Sequence, residues 1–250
     1  MVKIAITAGG TSENIDGVRK LTNVSTGTLG WYCLEAVLDY FLGQNQTDFH
    51  LYYILTETAV RKELSEGQEQ FVEFISVTDA ESVYNAVDEL TKSKSIDYFI
   101  HSMAISDFTL AYVISNDALE DEIQKAQASI KEILENPKNK YSVDVKIPSD
   151  ERVVMGLKRT KKVIPVIKQN NANTVLVGFK LLKEVSENEL MNVARELGVK
   201  NDCDLVFANE LSRISDKNHT GMLIKGDKIV ARPVGKKQIA QAIVREMMNL

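Results

Sequence analysis

The chain has 250 residues, of which 44% are hydrophobic and 26% are charged, with a formal net charge of -5. This is the composition of a globular protein with a sizeable core, and it excludes the basic surface that binds nucleic acids or anionic membranes. The first residues lack a signal-peptide pattern, and no apolar run approaches the ~20 residues that cross a bilayer, so we expect a cytoplasmic protein without a membrane partner.

Six apolar runs predict buried strands, because near-continuous runs rich in β-branched and aromatic residues are typical of parallel strands covered on both faces. The runs are residues 3–7, 49–55, 71–77, 98–105, 174–179 and 204–209. An amphipathic helix ends the chain, and helical patterns separate the strands at residues 27–43, 79–93 and 188–198. The alternation predicts a doubly wound α/β fold, with a mostly parallel sheet of Rossmann-like topology.

Two segments depart from this alternation. Residues 116–140 are polar, acidic at the start and helical in period, which predicts a solvated helix inserted beside the main sheet. Gly226 and Asp227 lie between two short extended runs and predict a C-terminal hairpin. No repeat or flexible linker interrupts the sequence, so we expect one domain over residues 1–250.

The residue types that bind metals through side chains are sparse. Cys33 and Cys203 fit neither a disulfide framework nor a zinc site, and they predict reduced thiols that pack as small hydrophobic side chains. His50, His101 and His219 are scattered and lack the spacing of metal ligands. We therefore expect no protein-built metal site.

The first predicted strand ends in a glycine-rich stretch, TAGGTSEN (residues 7–14). Gly9 and Gly10 permit a tight turn and a close approach of the backbone to a ligand, and Thr11 adds a hydroxyl. At the carboxyl end of a strand these features suit phosphate binding, although an ordinary Gly–Gly turn is the alternative. The stretch matches neither the dinucleotide fingerprint nor the P-loop.

A second stretch rich in hydrogen-bond donors, VRKLTNVSTGTLG (residues 18–30), precedes the first predicted helix. Small donors ahead of a helix coordinate anions, and an arginine grips a carboxylate or phosphate in a fork. The residues concerned are Arg19, Asn23, Ser25, Thr26, Gly27, Thr28 and Gly30. A capped helix start in a polar loop is the alternative, but two consecutive loops of this kind favour a phosphorylated ligand.

Two further charged residues draw interest. Asp107 follows the fourth apolar run in MAISDF (residues 103–108), at a strand end that often faces a ligand, although it also suits a helix cap. Lys146 stands in VDVKIPSDE (residues 143–151), and taken alone it is an ordinary surface lysine.

Taken in order, these motifs resemble those of the phosphopantothenate–cysteine ligase family. The residues that carry the resemblance are Thr7–Thr11, Val18–Gly30, Ala104–Phe108, Lys146–Ser149, GFKL at 178–181 and DLVFAN at 204–209. Six motifs in the right order over nearly the whole chain form a specific signal. The resemblance implies a free-standing ligase without the fused decarboxylase domain of many bacterial homologues.

The resemblance also implies a two-step reaction in coenzyme A biosynthesis. The carboxylate of 4′-phosphopantothenate attacks the α-phosphate of CTP, or of ATP, to give an acyl-nucleotidylate and pyrophosphate. The amine of cysteine then displaces the nucleotide and forms an amide. Positioning and charge stabilisation are the main demands of such chemistry, and we expect Mg²⁺ to be held by the triphosphate and water.

Roles for individual residues follow from the same resemblance. Asn23 holds the acyl-nucleotidylate, and Lys146 neutralises charge during activation. The nucleotide-binding residues are Gly9, Gly10, Thr11, Ser102, Met103, Asp107, Phe179 and Lys180. The substrate-binding residues are Arg19, Ser25, Thr26, Gly27 and Asn209. A homodimer with composite active sites is also implied. Trp31 and Tyr32 are the predicted interface anchors, with a core position for one of them as the alternative.

The chain departs from the family pattern at three positions that bear on the triphosphate contacts and on the choice between CTP and ATP. Pro148 stands where a second lysine is common, Lys161 stands where proline is usual, and Lys200 is the nearest match to the late lysines. Two other hypotheses stay open: a Rossmann-type oxidoreductase that uses NAD(P), and a non-catalytic domain that binds a phosphorylated ligand.

Overall fold

The computed structural model describes residues 1–126, 129–142, 144–214 and 219–250. The strands are β1 Val2–Ala8, β2 Ser12–Asn14, β3 Lys20–Thr22, β4 Phe49–Thr56, β5 Val72–Val77, β6 Tyr98–His101, β7 Phe108–Ser115, β8 Val153–Arg159, β9 Val175–Leu182, β10 Leu205–Glu210, β11 Met222–Lys225 and β12 Lys228–Ala231. The α-helices are α1 Thr28–Leu42, α2 Glu66–Glu69, α3 Ala80–Ser93, α4 Asn116–Lys125, α5 Ile130–Glu135, α6 Ile164–Asn170, α7 Glu187–Asn201 and α8 Lys236–Met247.

The central sheet has the spatial order β12-β11-β10-β9-β6-β1-β4-β5. The strands from β10 to β5 are parallel, and β11 and β12 extend the sheet as an antiparallel hairpin. The chain starts in the middle with β1, fills the side that ends in β5, and returns to the middle at β6. This is the strand order of Rossmann folds, and it confirms the predicted fold class and the C-terminal hairpin.

Helices cover both faces of the central sheet. Alternate residues of an inner strand therefore point into two separate cores. Ile4 and Ile6 of β1 pack in one core with α1 and α8, whereas Ala5 packs in a second core with α3 and α6. Helix α7 covers β10 and β11 in a third core. Such two-sided burial explains why these strands appear in the sequence as continuous apolar runs.

Helix α1 buries eight of its fifteen residues, Trp31 among them. Trp31 is 1% exposed and packs edge-on against Tyr53 of β4, with ring centroids 5.8 Å apart. The indole Nε1 of Trp31 donates a hydrogen bond to Glu35 at 2.7 Å. The prediction that Trp31 anchors a subunit interface is therefore wrong. Cys33 and Cys203 are free thiols, as predicted, and burial raises the pKa of each to about 12.

A smaller unit outside the central sheet is built from β7, β8, α4 and α5, and the sequence pattern does not predict its two strands. β7 and β8 pair antiparallel, and the short helices pack against the buried face of β7. The single helix predicted over 116–140 is wrong. Helix α4 ends at Lys125, and α5 starts anew where Ser129 Oγ accepts a hydrogen bond from the Glu132 amide at 3.3 Å. Residues 127 and 128 lie outside the described ranges.

Candidate active site

The carboxyl ends of β1 and β6 are neighbours at the point where the strand order reverses, which is where open α/β sheets bind ligands. The strand predicted over 98–105 ends at His101, because the residues after it bond to the loop that follows β1. The Ala104 amide donates to the Gly9 carbonyl at 2.9 Å, and the Thr11 amide donates to the Ala104 carbonyl at 3.1 Å. These bonds hold the two loops together at the edge of the sheet.

The two glycines after β1 meet a steric requirement of the site. Gly9 has φ +101°, and a Cβ at this position would lie 2.1 Å from Oγ1 of Thr56. A Cβ on Gly10 would lie 2.1 Å from the carbonyl oxygen of Asn23. The Asn23 amide donates in turn to the Thr11 carbonyl at 3.0 Å. The two donor-rich loops of the sequence therefore pack directly against each other, which neither loop predicts alone.

The first turn of α1 offers backbone N–H groups to an anion. Its N-cap, Gly27, has φ 67° and no side-chain hydrogen bond to the helix end, and the turn contains no acidic residue. The hydroxyls of Thr26 and Thr28 lie 2.7 Å apart beside it, and Ser25 Oγ accepts a long hydrogen bond of 3.4 Å from the Gly27 amide. The N–H groups, the helix dipole and the hydroxyls together create a positive potential there.

Thr56, at the carboxyl end of β4, belongs to the same region although no motif singles it out. Its side chain is buried beside Gly9, and its hydroxyl has no hydrogen-bond partner among the residues that the structure describes. A buried hydroxyl without a partner is costly, so it is a further candidate donor for a ligand. The signal in the sequence is a polar residue that directly follows the apolar run at 49–55.

A buried carboxylate holds Arg19, one of the predicted substrate-binding residues. Nη1 of Arg19 lies 3.1 Å from Oδ2 of Asp16, and Nη2 donates to the Ile147 carbonyl at 3.4 Å. Burial alone would raise the pKa of Asp16, but hydrogen bonds from the amides of Val18, Arg19 and Ile147 and the charge of Arg19 hold this pKa below its usual range. Asp16 is thus a permanently charged centre between two loops, and sequence reasoning did not identify it.

Two other charged residues predicted for the site, Lys146 and Asp107, are exposed. Lys146 directly precedes Ile147, so the segment that bonds to Asp16 also carries Lys146. Asp107 lies at the start of β7, after the β6 loop, and its carboxylate is 2.5 Å from Nζ of Lys162. Lys162 therefore places a positive charge beside Asp107 at this edge.

Three predicted nucleotide-binding residues make internal contacts that shape the loops. Ser102 Oγ donates to the Thr7 carbonyl at 2.6 Å, and the Met103 amide donates to Thr7 Oγ1 at 3.3 Å. Thr11 is buried, and its Oγ1 accepts a hydrogen bond from the Ser106 amide at 2.9 Å. Contacts of these residues with a nucleotide stay predictions, and the bonds seen here show how the loops keep their shape.

The remaining predicted residues lie on the next two strands along the same edge. Phe179 and Lys180 are half-buried in β9, beyond the level at which β6 ends. Asn209 of β10 is buried, and its Nδ2 lies 3.0 Å from Nε2 of His219. Within the described ranges, no side-chain hydrogen bond joins these residues to the loops after β1 and β6. Their contacts with the nucleotide and the substrate stay predictions.

His219 is a buried polar residue that its spacing in the sequence does not single out. Burial, together with the charge of Lys236, lowers the pKa of His219. Its Nδ1 has no partner in the part of the chain that the structure describes. The hydrogen bond between His219 and Asn209 restricts the side chain of Asn209, which is a predicted substrate-binding residue.

The described residues contain no group of three or more His, Cys, Asp and Glu side chains that is arranged to hold a metal ion. The donors at the start of α1 are N–H and hydroxyl groups, which suit an anion. A Mg²⁺ ion that arrives with a triphosphate fits this chemistry, because its ligands are then phosphate and water. No helix within the described ranges has both the length and the apolar character needed to span a bilayer.

Comparisons with known sequences agree on one family. A profile described as the DNA/pantothenate metabolism flavoprotein C-terminal domain matches residues 1–139 and 116–250. The chain is similar to the coenzyme A biosynthesis bifunctional protein CoaBC of Thermococcus kodakarensis, at 29% identity over 99% of this chain and 51% of that protein. The chain spans about half the length of this curated relative.

Solved structures give the same result. The DNA/pantothenate metabolism flavoprotein from Streptococcus pneumoniae has a TM-score of 0.81 and 30% identity, over 100% of this chain and 99% of that chain. A Cab2 mutant in complex with phosphopantothenate-cysteine shares the fold, with a TM-score of 0.67 and 16% identity over 99% of this chain and 85% of that chain. Since the family profile extends over the whole sequence, this chain belongs to the family of the DNA/pantothenate metabolism flavoprotein C-terminal domain.

Proposed function

We propose that this chain joins 4′-phosphopantothenate to cysteine in the biosynthesis of coenzyme A. In the first step the substrate carboxylate attacks the α-phosphate of a nucleoside triphosphate, and pyrophosphate leaves. In the second step the cysteine amine attacks the acyl carbon, and the nucleoside monophosphate leaves as the amide forms. Family membership, the curated CoaBC relative and the ligand of the Cab2 structure support the proposal.

The observation that carries the proposal is the contact between two donor-rich loops at the start of α1. Gly10 touches the carbonyl of Asn23, and Gly27 caps the helix in a left-handed conformation. This arrangement brings N–H groups, hydroxyls and an amide side chain to one strand edge. A reaction through an acyl-nucleotidylate needs such a site more than it needs an acid–base pair, because activation itself supplies the leaving group.

We assign Asn23 to the acyl-nucleotidylate, since its amide side chain both donates and accepts hydrogen bonds. Lys146 neutralises charge that develops on the α-phosphate during the first step. Arg19, with the donors at the start of α1, binds the anionic groups of the substrates. Asp107 and Phe179 contact the ribose and base of the nucleotide.

CTP is the proposed nucleotide, with ATP as the alternative. Mg²⁺ enters as a complex with the triphosphate, where it offsets phosphate charge. The first turn of α1 contains no acidic residue. This supports the entry of Mg²⁺ as a triphosphate complex, because N–H and hydroxyl donors bind phosphate oxygens and do not bind a bare cation.

We also propose that the active species is a homodimer with composite sites. Phe108, Met155 and Leu157 support this, because these large apolar side chains are 46%, 47% and 49% exposed on β7 and β8. Phe108 directly follows Asp107, so a partner that covers these strands would lie close to the nucleotide-binding residues. Exposed apolar clusters beside functional loops are typical of subunit interfaces.

The test is pyrophosphate release by the purified chain, with and without 4′-phosphopantothenate, in the presence of Mg²⁺ and either CTP or ATP. We expect release that requires 4′-phosphopantothenate, followed by amide formation when cysteine is added. Thermal-shift measurements with CTP, ATP, NAD and NADP run in parallel. Stabilisation by NAD or NADP alone would favour an oxidoreductase, and nucleotide binding without any turnover would favour a non-catalytic domain.

A further inference from the structure

The most completely bonded carboxylate near the candidate site is that of Asp16, which is 3% exposed. Its Oδ1 accepts hydrogen bonds from the amides of Val18 at 2.8 Å and Arg19 at 2.6 Å. Its Oδ2 accepts from Arg19 Nη1 at 3.1 Å and from the Ile147 amide at 3.2 Å. Both oxygens are therefore occupied, and one of them reaches a segment far away in the sequence.

Further contacts reinforce the junction between these two segments. Arg19 Nη2 donates to the Ile147 carbonyl at 3.4 Å, so Asp16 and Arg19 together engage both backbone groups of Ile147. The Ile147 side chain is buried. Next to Asp16, a Cβ on Gly17 would lie 3.0 Å from the Asp144 carbonyl oxygen. The turn over residues 15–19 and the segment around Ile147 thus pack tightly.

This junction connects the two residues assigned to chemistry. From Arg19 the chain runs through β3 to Asn23, and Ile147 directly follows Lys146. The Lys146 side chain makes no hydrogen bond or ion pair within the described part of the chain. Backbone contacts of its neighbour therefore tie this lysine to the turn over residues 15–19, which leads through β3 to Asn23.

We infer that Asp16 is a positioning residue, which sets Lys146 against the Asn23 loop by holding the Ile147 backbone. The inference rests on the proposed function, because it gives Lys146 a role in the first step. Asp16 does not act on the substrate itself. It acts through Lys146, and this indirect action makes a specific prediction about the combined effect of two substitutions.

The test uses Asp16→Asn, which keeps the shape of the side chain. An amide nitrogen cannot accept a hydrogen bond, so the two donors that face the replaced oxygen lose their acceptor. We expect pyrophosphate release in a single turnover to slow by about tenfold to a hundredfold, the scale for one bond to a charged group or a displacement near 1 Å. Nucleotide binding, measured by thermal shift, should change by less than about twofold.

The double variant Asp16→Asn, Lys146→Gln separates positioning from general destabilisation. If Asp16 acts through Lys146, Asp16→Asn should slow pyrophosphate release very little further in a protein that already carries Lys146→Gln. If the two residues act independently, the two reductions in rate multiply.

The matched control is Asp204→Asn at the opposite edge of the sheet. Asp204 also accepts one backbone amide bond, from Leu176 at 2.8 Å, and one lysine bond, from Lys168 at 2.9 Å. We expect this control to leave pyrophosphate release unchanged.

Hydrogen exchange gives a readout that does not depend on activity. Asp16→Asn should speed exchange in peptides that contain Ile147 while peptides from β1 and β4 exchange as in the wild type. Should Asp16→Asn fail to fold, Gly17→Ala presses on the Asp144 carbonyl from an exposed position and should produce the same kinetic defect.

The outcomes are distinct. If the wild type releases no pyrophosphate with any nucleotide, the proposed function fails. If the wild type is active but the Asp16 and Lys146 effects multiply, or exchange near Ile147 stays unchanged, the positioning role is overturned.

Discussion

The backbone of Asn23 is held on both sides, while its side chain makes no hydrogen bond with any residue that the structure describes. Its amide donates to Thr11, and its carbonyl lies against Gly10. Asn23→Asp should therefore keep the loop in shape while it replaces the amide donor with a negative charge. We expect pyrophosphate release to persist and amide formation to fall by about a hundredfold, the scale for one lost stabilising donor.

The measurement is separate quantification of pyrophosphate and of 4′-phosphopantothenoylcysteine in a single turnover. Asn14→Asp is the matched control, since it adds the same charge at an exposed position at the end of β2. Amide formation at the wild-type rate by Asn23→Asp would remove its assigned role.

Lys146 is expected to act in the first step, the release of pyrophosphate. Lys146→Gln removes the positive charge that stabilises negative charge developing on the α-phosphate, so pyrophosphate release should slow by about a hundredfold or more. The control is Lys140→Gln, which removes the charge of another exposed lysine that bonds to Asn136. Near-normal pyrophosphate release by Lys146→Gln in a single turnover would contradict the assignment.

His101 gives the stability a pH dependence. Burial lowers the pKa of His101 to about 4, from an ordinary value of 6.5. Below pH 6.5 the unfolded chain therefore binds a proton that the folded chain excludes, and stability falls as the pH drops toward 4. At pH 5 the loss is ~2 kcal/mol, from ~1.4 kcal/mol per pH unit.

The check is the free energy of unfolding from urea titrations at pH 7 and pH 5, for the wild type and for His101→Asn. The variant should lose this part of the pH dependence. His219, whose pKa burial also lowers, should retain its part. An identical slope in both proteins would show that His101 does not titrate as described.

Among single residues, those that act locally along the chain were the most predictable. The residue type and the neighbours of Gly9, Gly10 and Gly27 predict a close approach of the backbone. In the structure, a Cβ at each of these positions would clash with a neighbouring atom. Asp16 and Thr56 could not be found this way. The importance of Asp16 comes from a bond to Ile147, 131 positions away, and that of Thr56 comes from the neighbouring strand. These contacts exist only after folding, and the sequence marks Thr56 only as a polar residue that follows an apolar run.

The packing of the two donor-rich loops gives a prediction for the elements. Gly10→Ala would drive a Cβ into the backbone of Asn23, 2.1 Å away, and backbone cannot rotate aside as a side chain does. We expect a loss of ~1–3 kcal/mol in the free energy of unfolding, as for overpacking, together with weaker nucleotide binding. Gly67→Ala is the control, because a Cβ there meets nothing within 4 Å in α2. Unchanged stability and binding in Gly10→Ala would mean that the loops do not pack in this way.

The six parallel strands of the central sheet were predictable from apolar runs alone, and they appear near the predicted positions. β7 and β8 were not, because one of their faces is exposed and a bulge near Tyr112 disrupts the alternation. The predicted helix over 116–140 overlooked the capping pattern of Ser129 and Glu132, a local start signal inside a continuous helical period.

For the whole molecule we predict a homodimer with a mass near twice 28.0 kDa. Leu157→Glu should weaken association and activity together, because it adds a charge to the exposed apolar face of β7 and β8. Val199→Glu is the control, because Val199 is an exposed apolar residue that lies on helix α7 and not on β7 or β8. Light scattering and pyrophosphate release on the same samples provide the check. A fully active wild-type species at the monomer mass would end the composite-site idea.

The contact between α1 and α8 has a consequence for synthesis on the ribosome. Ile239, Ile243 and Met247 of α8 fill the same core as Trp31 and Leu34 of α1. Nearly the whole chain is translated between these helices, which at ~5–20 residues per second takes on the order of ten seconds or more. Throughout that interval the apolar face of α1 lacks its cover, and a chaperone that binds exposed hydrophobic surface can engage it.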